Sequence, residues 1–243
     1  MAALLYALFG RFTIGLQRID DPPRAVAVTT SGAWSSMIYL ARTDSGVIAI
    51  DLGWVGAEGA LERGLAELGA TPADVVAVFL THSHRDHIAG WSVLPRARFH
   101  IARPEADLLF GRAAHAGWLP RLADRLRAPR LPRPDELRLV PFDADTSFVF
   151  GADSVHAFLI YGHTAGSAAY VVRGTLFAGD AVNYRPIYGW RGARAEMSED
   201  VARSRLSLQA LWPRLARHSV RTVCTAHGKC GPFDAAMRER VGR

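Results

Sequence analysis

The chain is poor in cysteine and nearly empty of lysine. Cys224 and Cys230 are the only two cysteines in 243 residues, too few for a disulfide framework. A zinc ribbon would need a second Cys or His pair at similar spacing, and none is present. Cys224 ends the run Val220-Arg221-Thr222-Val223 and reads as a buried strand residue. Cys230 as an extra ligand or redox partner is the alternative, raised because the two bracket His227. Such usage suits a reducing compartment, so a cytoplasmic location is expected.

Lys229 is the single lysine among 29 basic residues. A formal charge of +6 and a pI near 9.9 would point to nucleic acid or an anionic surface. The arginines are instead spread among many Ala, Gly and Pro, as codon bias would spread them. The densest group, Arg121, Arg125, Arg127, Arg130, Arg133 and Arg138, is broken by Asp124, Asp135 and Glu136. It reads as a solvated face rather than an anion patch, so a nucleic-acid partner is not expected. Long apolar runs are missing too. Met1 to Gly10 is too short to span a bilayer and lacks the basic lead and small-residue cleavage pattern of an export signal. It reads as a segment packed on the body or in a dimer contact, which admits a homodimer. There is no Gly-x-Ser-x-Gly, so no serine-nucleophile elbow is expected.

What is present centres on Thr81-His82-Ser83-His84-Arg85-Asp86-His87. It follows the apolar run Val75-Val76-Ala77-Val78-Phe79-Leu80, which reads as a buried strand ending in a loop. In extended backbone, alternate side chains share a side, so His82 and His84 can grip one divalent cation. Asp86 and His87 follow where the chain turns and can address a second position. The spacing therefore suggests two metals.

Around this motif, Ala25 to Thr29, Ser36 to Arg42 and Gly46 to Ile50 read as consecutive strands closed by Asp51. Gly56 to Gly69 reads as an amphipathic helix, and Thr71 to Asp74 as a short helical turn. Ile88 to Leu94 is expected to be a helix, and Arg98 to Ala102 a strand. The Pro- and Arg-rich stretch at about 103–138 is expected to be a helical insert in a single domain spanning 1–243. Leu108, Leu109, Phe110, Trp118 and Leu119 are either its core or a pocket wall. His100 and His115 read as surface or packing residues. Ser147 to Phe150, Ser154 to Tyr161, Ala168 to Arg173 and Thr175 to Ala178 read as further strands, Met197 to His218 as helix, and Val220 onward as a strand delivering His227. Alternation of strands and helices suits a layered α/β body.

His82-x-His84-x-Asp86-His87 resembles the signature of the metallo-β-lactamase superfamily. The resemblance continues at Gly162-His163-Thr164-Ala165-Gly166-Ser167, at Phe177-Ala178-Gly179-Asp180 and at Thr225-Ala226-His227-Gly228. It implies an αββα sandwich of two mixed β-sheets flanked by helices. Carried over by position, it implies that His82, His84 and His163 hold a first metal, that Asp86, His87 and His227 hold a second, and that Asp180 bridges them. Asp51 would take a supporting role, accepting a hydrogen bond from a ligand histidine. Imidazole and carboxylate ligands without cysteine suit zinc, and also iron or manganese.

Such a pair implies hydrolysis of a small ester, thioester or lactone by a metal-bridging hydroxide, with Asp86 orienting it or moving its proton. Tyr184 would add an oxyanion or substrate contact, resembling a tyrosine of lactonases in this family although placed one position further from the bridging aspartate. Glyoxalase II-like members carry a C-terminal helical domain for which the stretch after His227 leaves little room. A β-lactamase, a phosphodiesterase or ribonuclease, and an iron oxygenase of the persulfide dioxygenase type using His82, His163 and Asp180 stay open as alternatives.

Overall fold

The computed structural model describes residues 16–19, 24–30, 35–125 and 130–242. The apolar start, Met1 to Gly10, lies outside them. The chain opens with β1 (Gln17–Arg18), β2 (Ala25–Thr29), β3 (Met37–Thr43) and β4 (Gly46–Ile50), then α1 (Ala57–Glu67), β5 (Val75–Phe79) and β6 (Arg98–Ala102). Next come α2 (Arg103–Leu109), α3 (Trp118–Arg125) and β7 (Arg138–Phe142). The second half contributes β8 (Thr146–Phe150), β9 (Asp153–Leu159), β10 (Ala168–Val172), β11 (Thr175–Phe177), β12 (Val182–Arg185) and β13 (Gly189–Gly192). It ends with α4 (Val201–Arg214), β14 (Thr222–Cys224), β15 (Cys230–Pro232) and α5 (Ala235–Val241).

β1 to β7 form one sheet in sequence order, antiparallel as far as β4 and parallel from β4 to β7. The other sheet runs β15-β14-β11-β10-β9-β8, with β11 and β14 the parallel pair. Both sheets are mixed, and β12 with β13 makes a separate hairpin.

Period-two patterning places these sheets face to face. In β3, Met37, Tyr39 and Ala41 enter the layer between the sheets, whereas Ile38 and Leu40 face α1. In β10, Ala168, Tyr170 and Val172 enter the same layer, and Ala169 and Val171 face α4 and α5. Each strand is thus apolar on both faces, which only a sheet covered on both sides can use. The result is the expected four-layer αββα sandwich. Each aliphatic side chain fully removed from water contributes about 1.5–3 kcal/mol.

Two tyrosines in the central layer tie each sheet to the loop delivered by the other. Tyr39 donates to the Thr225 carbonyl at 2.6 Å, and Tyr170 to the Leu80 carbonyl at 2.7 Å. These loops precede His227 and His82. Burial with a satisfied hydroxyl fixes their approach from both sides of the sandwich.

Several local expectations are corrected. Ile88 to Leu94 is a 3₁₀ segment, Ala89–Val93, rather than a full helix. Within the stretch at about 103–138 read as helical, the first helix ends at Leu109, and Gly111 follows at φ 68°. The helix expected from Met197 is a 3₁₀ turn, Ala195–Met197, then α4, then a 3₁₀ turn, Leu215–His218. Leu109 joins the core under α1, with Phe110 packed against it. Cys224 is buried as expected, but Cys230 is its disulfide partner and not a ligand. Direct pairing across β14 and β15 puts the two side by side, a neighbourhood that their spacing in the chain did not reveal.

Candidate metal centre

The candidate ligands arrive on loops at one end of the sandwich. β5 delivers His82 and His84, and a 3₁₀ turn, Arg85–His87, carries Asp86 and His87. His163 follows β9 after Gly162, whose φ is 112° and where a Cβ would lie 2.2 Å from the Ser204 nitrogen. No side chain fits there, so glycine lets the His163 loop rest on the start of α4. Asp180 sits in a 3₁₀ turn after β11, and His227 in the loop between β14 and β15. All are buried except His227, which is half-buried.

Among the described residues, three groups have ligand atoms within 4.8 Å of one another: His82, His84 and His163; His82, His87 and Asp180; and Asp86, His87 and His227. His82 Nε2 lies 2.9 Å from His84 Nδ1 and 3.1 Å from His163 Nε2. This is close to the roughly 3.3 Å expected between imidazoles that share a tetrahedral zinc. Asp180 spans the trios. Its Oδ2 is 3.7 Å from His163 Nε2, while its Oδ1 is 3.4 Å from His227 Nε2 and 3.8 Å from His87 Nε2. Asp86 Oδ2 lies 3.1 Å from His227 Nε2.

The surrounding hydrogen bonds decide which nitrogen faces outward in four of the five rings. Thr81 Oγ1 donates to Asp51 Oδ2 and therefore accepts from His82 Nδ1 at 3.0 Å. Asp51 Oδ2 also accepts from His87 Nδ1 at 2.8 Å. Ser198 Oγ donates to the Arg194 carbonyl and accepts from His163 Nδ1 at 3.0 Å. The Ser35 carbonyl accepts from His227 Nδ1 at 2.8 Å. Four rings thus hold their outer proton on Nδ1 and turn Nε2 inward, the atom that ligation requires. His87 Nε2 and Asp180 Oδ1 are buried and without a hydrogen-bond partner among the described residues. Orphaned inward atoms of this kind fit cations, because leaving them bare costs free energy that ligation recovers.

Electrostatics divides the cluster. Burial pushes His82 and His84 well below the ordinary imidazole range, and His163 down to about 4. Burial also opposes charge on His87, but Asp51, Asp86 and Asp180 outweigh it and raise His87 to about 9. His227 is raised well above its usual range because Asp180 and Asp86 outweigh its burial. The same attraction overcomes the burial of Asp86, holding it at about 2, and keeps Asp180 well below the usual carboxylate range. The His82, His84 and His163 rings are therefore held neutral, while His87 and His227 are held protonated beside Asp86 and Asp180.

Three residues were not assigned from sequence. Glu105, fully buried at the start of α2, accepts from Ser83 N at 2.8 Å, Ser83 Oγ at 2.7 Å and Gly166 N at 2.7 Å. It joins the His82–His84 loop to the His163 loop, and its only sequence signal is an acid inside an apolar helical run. Ser198 orients His163, with no sequence signal at all. His115, expected at the surface or in packing, is buried with its ring 4.8 Å from that of His84. His100 packs in the core, stacked 4.6 Å from Phe79. Tyr184 flanks the His227 loop; its ring meets Trp190 edge-on, and the Lys229 ammonium sits 4.1 Å from its centroid.

Residues 31–217 match the Metallo-beta-lactamase superfamily model, and the chain belongs to that superfamily of metallo-hydrolases. It is 24% identical over 185 residues to the Bacillus velezensis "Probable polyketide biosynthesis zinc-dependent hydrolase BaeB", covering 74% of this chain and 69% of that one. It is 37% identical over 95 residues to mouse "Metallo-beta-lactamase domain-containing protein 1", a match covering 38% of this chain and only 36% of the mouse protein. Among solved structures, a B3 metallo-beta-lactamase with an active-site glutamic acid superposes with TM-score 0.66 at 20% identity, over 99% of this chain and 90% of that one. A metallo-beta-lactamase from Pontibacter korlensis gives TM-score 0.66 at 19% identity, over 93% and 94%. These structural likenesses establish the fold.

No helix among the described residues is long and apolar enough to cross a membrane.

Proposed function

We propose that this chain, a single domain with an insert at about 103–138, hydrolyses a small ester, thioester or lactone at a dinuclear centre. The metal that best suits its donor set is zinc. His82, His84 and His163 would hold one ion, Asp86, His87 and His227 the other, with Asp180 shared. The observation that carries this reading is the set of four inward-turned Nε2 atoms around a carboxylate whose two oxygens address different trios. A zinc-dependent relative of similar length supports it.

When bound, such ions supply Lewis acidity and bring the pKa of water from 15.7 to about 7 in favourable zinc sites. The remaining roles fall to the chain. Asp86, ionised above about pH 2, orients the attacking water by accepting its hydrogen bond. Asp51, Ser198 and the Ser35 carbonyl hold imidazoles in register by accepting their Nδ1 protons. Tyr184, beside the His227 loop, donates to the substrate or to the developing oxyanion.

The test is metal analysis of the purified protein joined to a screen of lactones, thioesters, phosphodiesters and β-lactams, with Asp180→Ala in parallel. We expect acyl substrates to be turned over, and the variant to lose metal and activity together. Full activity in Asp180→Ala with one metal bound would refute the shared-carboxylate centre. Turnover of β-lactams or phosphodiesters alone would refute the substrate class.

A further inference from the structure

A cleft of about 540 Å³ outside both candidate ligand trios is walled by β12, β13, the start of α4 and α5. Five arginines line it, Arg185, Arg191, Arg194, Arg205 and Arg240, with Glu196 the one carboxylate on its walls. Glu196 is 2.8 Å from Arg194 Nη2 and 3.9 Å from Arg185 Nη2. Arg191 donates to the Trp190 carbonyl and has no carboxylate partner among the described residues. Arg205 and Arg240 have no carboxylate partner among the described residues.

Arg103 closes on Asp143 at 2.7 Å, Arg112 on Asp107 at 2.8 Å and Arg130 on Glu136 at 2.8 Å. Guanidinium groups that share one concavity with too few carboxylates repel one another, and a polyanion relieves that repulsion. Their planar forks match phosphate oxygens in bidentate fashion, which a lone ammonium does not. The volume lies within the range of small-molecule sites.

The cleft is joined to the proposed centre through Ser198, on the outer side of His163. The Arg194 carbonyl accepts from Ser198 Oγ at 2.6 Å, and the same hydroxyl faces His163 Nδ1. Arg185 ends the strand that starts just after the Asp180 turn and carries Tyr184.

We propose that this cleft binds a phosphate-bearing handle, at least doubly negative, on the acyl substrate that the metal centre cleaves. This narrows the substrate class to esters or thioesters on a phosphorylated carrier, ahead of uncharged lactones. The anion site stands on the cleft itself, and its role in turnover rests on the hydrolase reading.

The test uses the metal-loaded protein and the double variant Arg205→Ala/Arg240→Ala, both exposed positions. Inorganic pyrophosphate is titrated calorimetrically, with metal content measured on the same samples so that any change at the centre is seen. We expect pyrophosphate to bind about tenfold or more weakly in the variant at equal metal content, and to weaken with salt in the wild type. Two thioesters of one acyl group, one on coenzyme A and one on uncharged N-acetylcysteamine, are then compared. The wild type should prefer the coenzyme A ester through KM, and the variant should lose about tenfold of that preference. Unchanged pyrophosphate binding in the variant, or equal use of both thioesters by the wild type, overturns the proposal. An RNA oligomer bound far more tightly than pyrophosphate, and lost in the same variant, overturns the small-handle assignment. If no ester, thioester or lactone of the screen is cleaved while the arginines still govern pyrophosphate binding, the hydrolase reading fails and the anion site survives it.

Discussion

Asp51 Oδ2 lies 2.8 Å from His87 Nδ1, and the same carboxylate accepts from the Thr81 amide and hydroxyl, each at 2.8 Å. Asp51 adopts a left-handed backbone at φ 54°, a conformation that aspartate tolerates better than most residues. Asp51→Asn keeps the shape but places an amide against at least one donor. We expect metal affinity to fall about 10–100-fold, measured by chelator competition, and stability to fall by about 1–3 kcal/mol. Unchanged affinity would separate Asp51 from the centre.

Glu105 offers a second control on the same geometry from the other side. Its three acceptor contacts hold the His82–His84 and His163 loops together. In Glu105→Gln an NH₂ must face a backbone or hydroxyl donor, at a cost of about 1–3 kcal/mol in unfolding free energy. Because both loops serve one trio, the first ion should be the one weakened. A variant that loses stability in denaturant melts but retains full metal content and kcat would make Glu105 a purely structural residue.

The metal-free protein should depend on pH in a direction set by His87. Its folded-state pKa, about 9, lies above the ordinary 6.5. The stabilisation is therefore full below pH 6.5 and is lost as pH rises towards 9. Asp86, lowered from 3.8 to about 2, contributes stability above pH 3.8 that is lost as pH falls through 2. Chelated protein should accordingly melt at a lower temperature at pH 9 than at pH 6.5. Metal uptake should tighten over the same interval, about tenfold per pH unit for each proton released. A flat melting profile from 6.5 to 9 would contradict the raised His87.

The Cys224–Cys230 bridge spans the base of the loop that carries His227. Replacing both cysteines with serine removes that closure, and His227 then depends on its bond to the Ser35 carbonyl and on the Tyr39 tie to Thr225. We expect the ion shared by Asp86, His87 and His227 to bind more weakly while the other trio keeps its occupancy. Equal loss at both positions, followed by metal titration, would show a general loosening instead.

Much of this architecture could be read along the chain. Apolar runs with short turns locate most strands of both sheets, because a strand covered on both faces must be apolar on both. The His-x-His-x-Asp-His run announced cation chemistry because four donors in six positions have few other uses. The short helices were misread at their ends: Gly111 cuts α2 at a place where the residues onward to His115 remain helix-compatible.

Residue order alone could state which side chains carry donor atoms and roughly where strands would deliver them, since backbone periodicity is local. It could not say that Glu105 ties two loops, that Ser198 sets the tautomer of His163, that His115 lies against His84, or that Cys230 meets Cys224. Nor could it gather Arg185, Arg205 and Arg240 around one cleft. Each of these is a contact between residues distant in sequence or turned by a loop, and only the packing of two sheets with their covering helices brings such groups within a few ångströms.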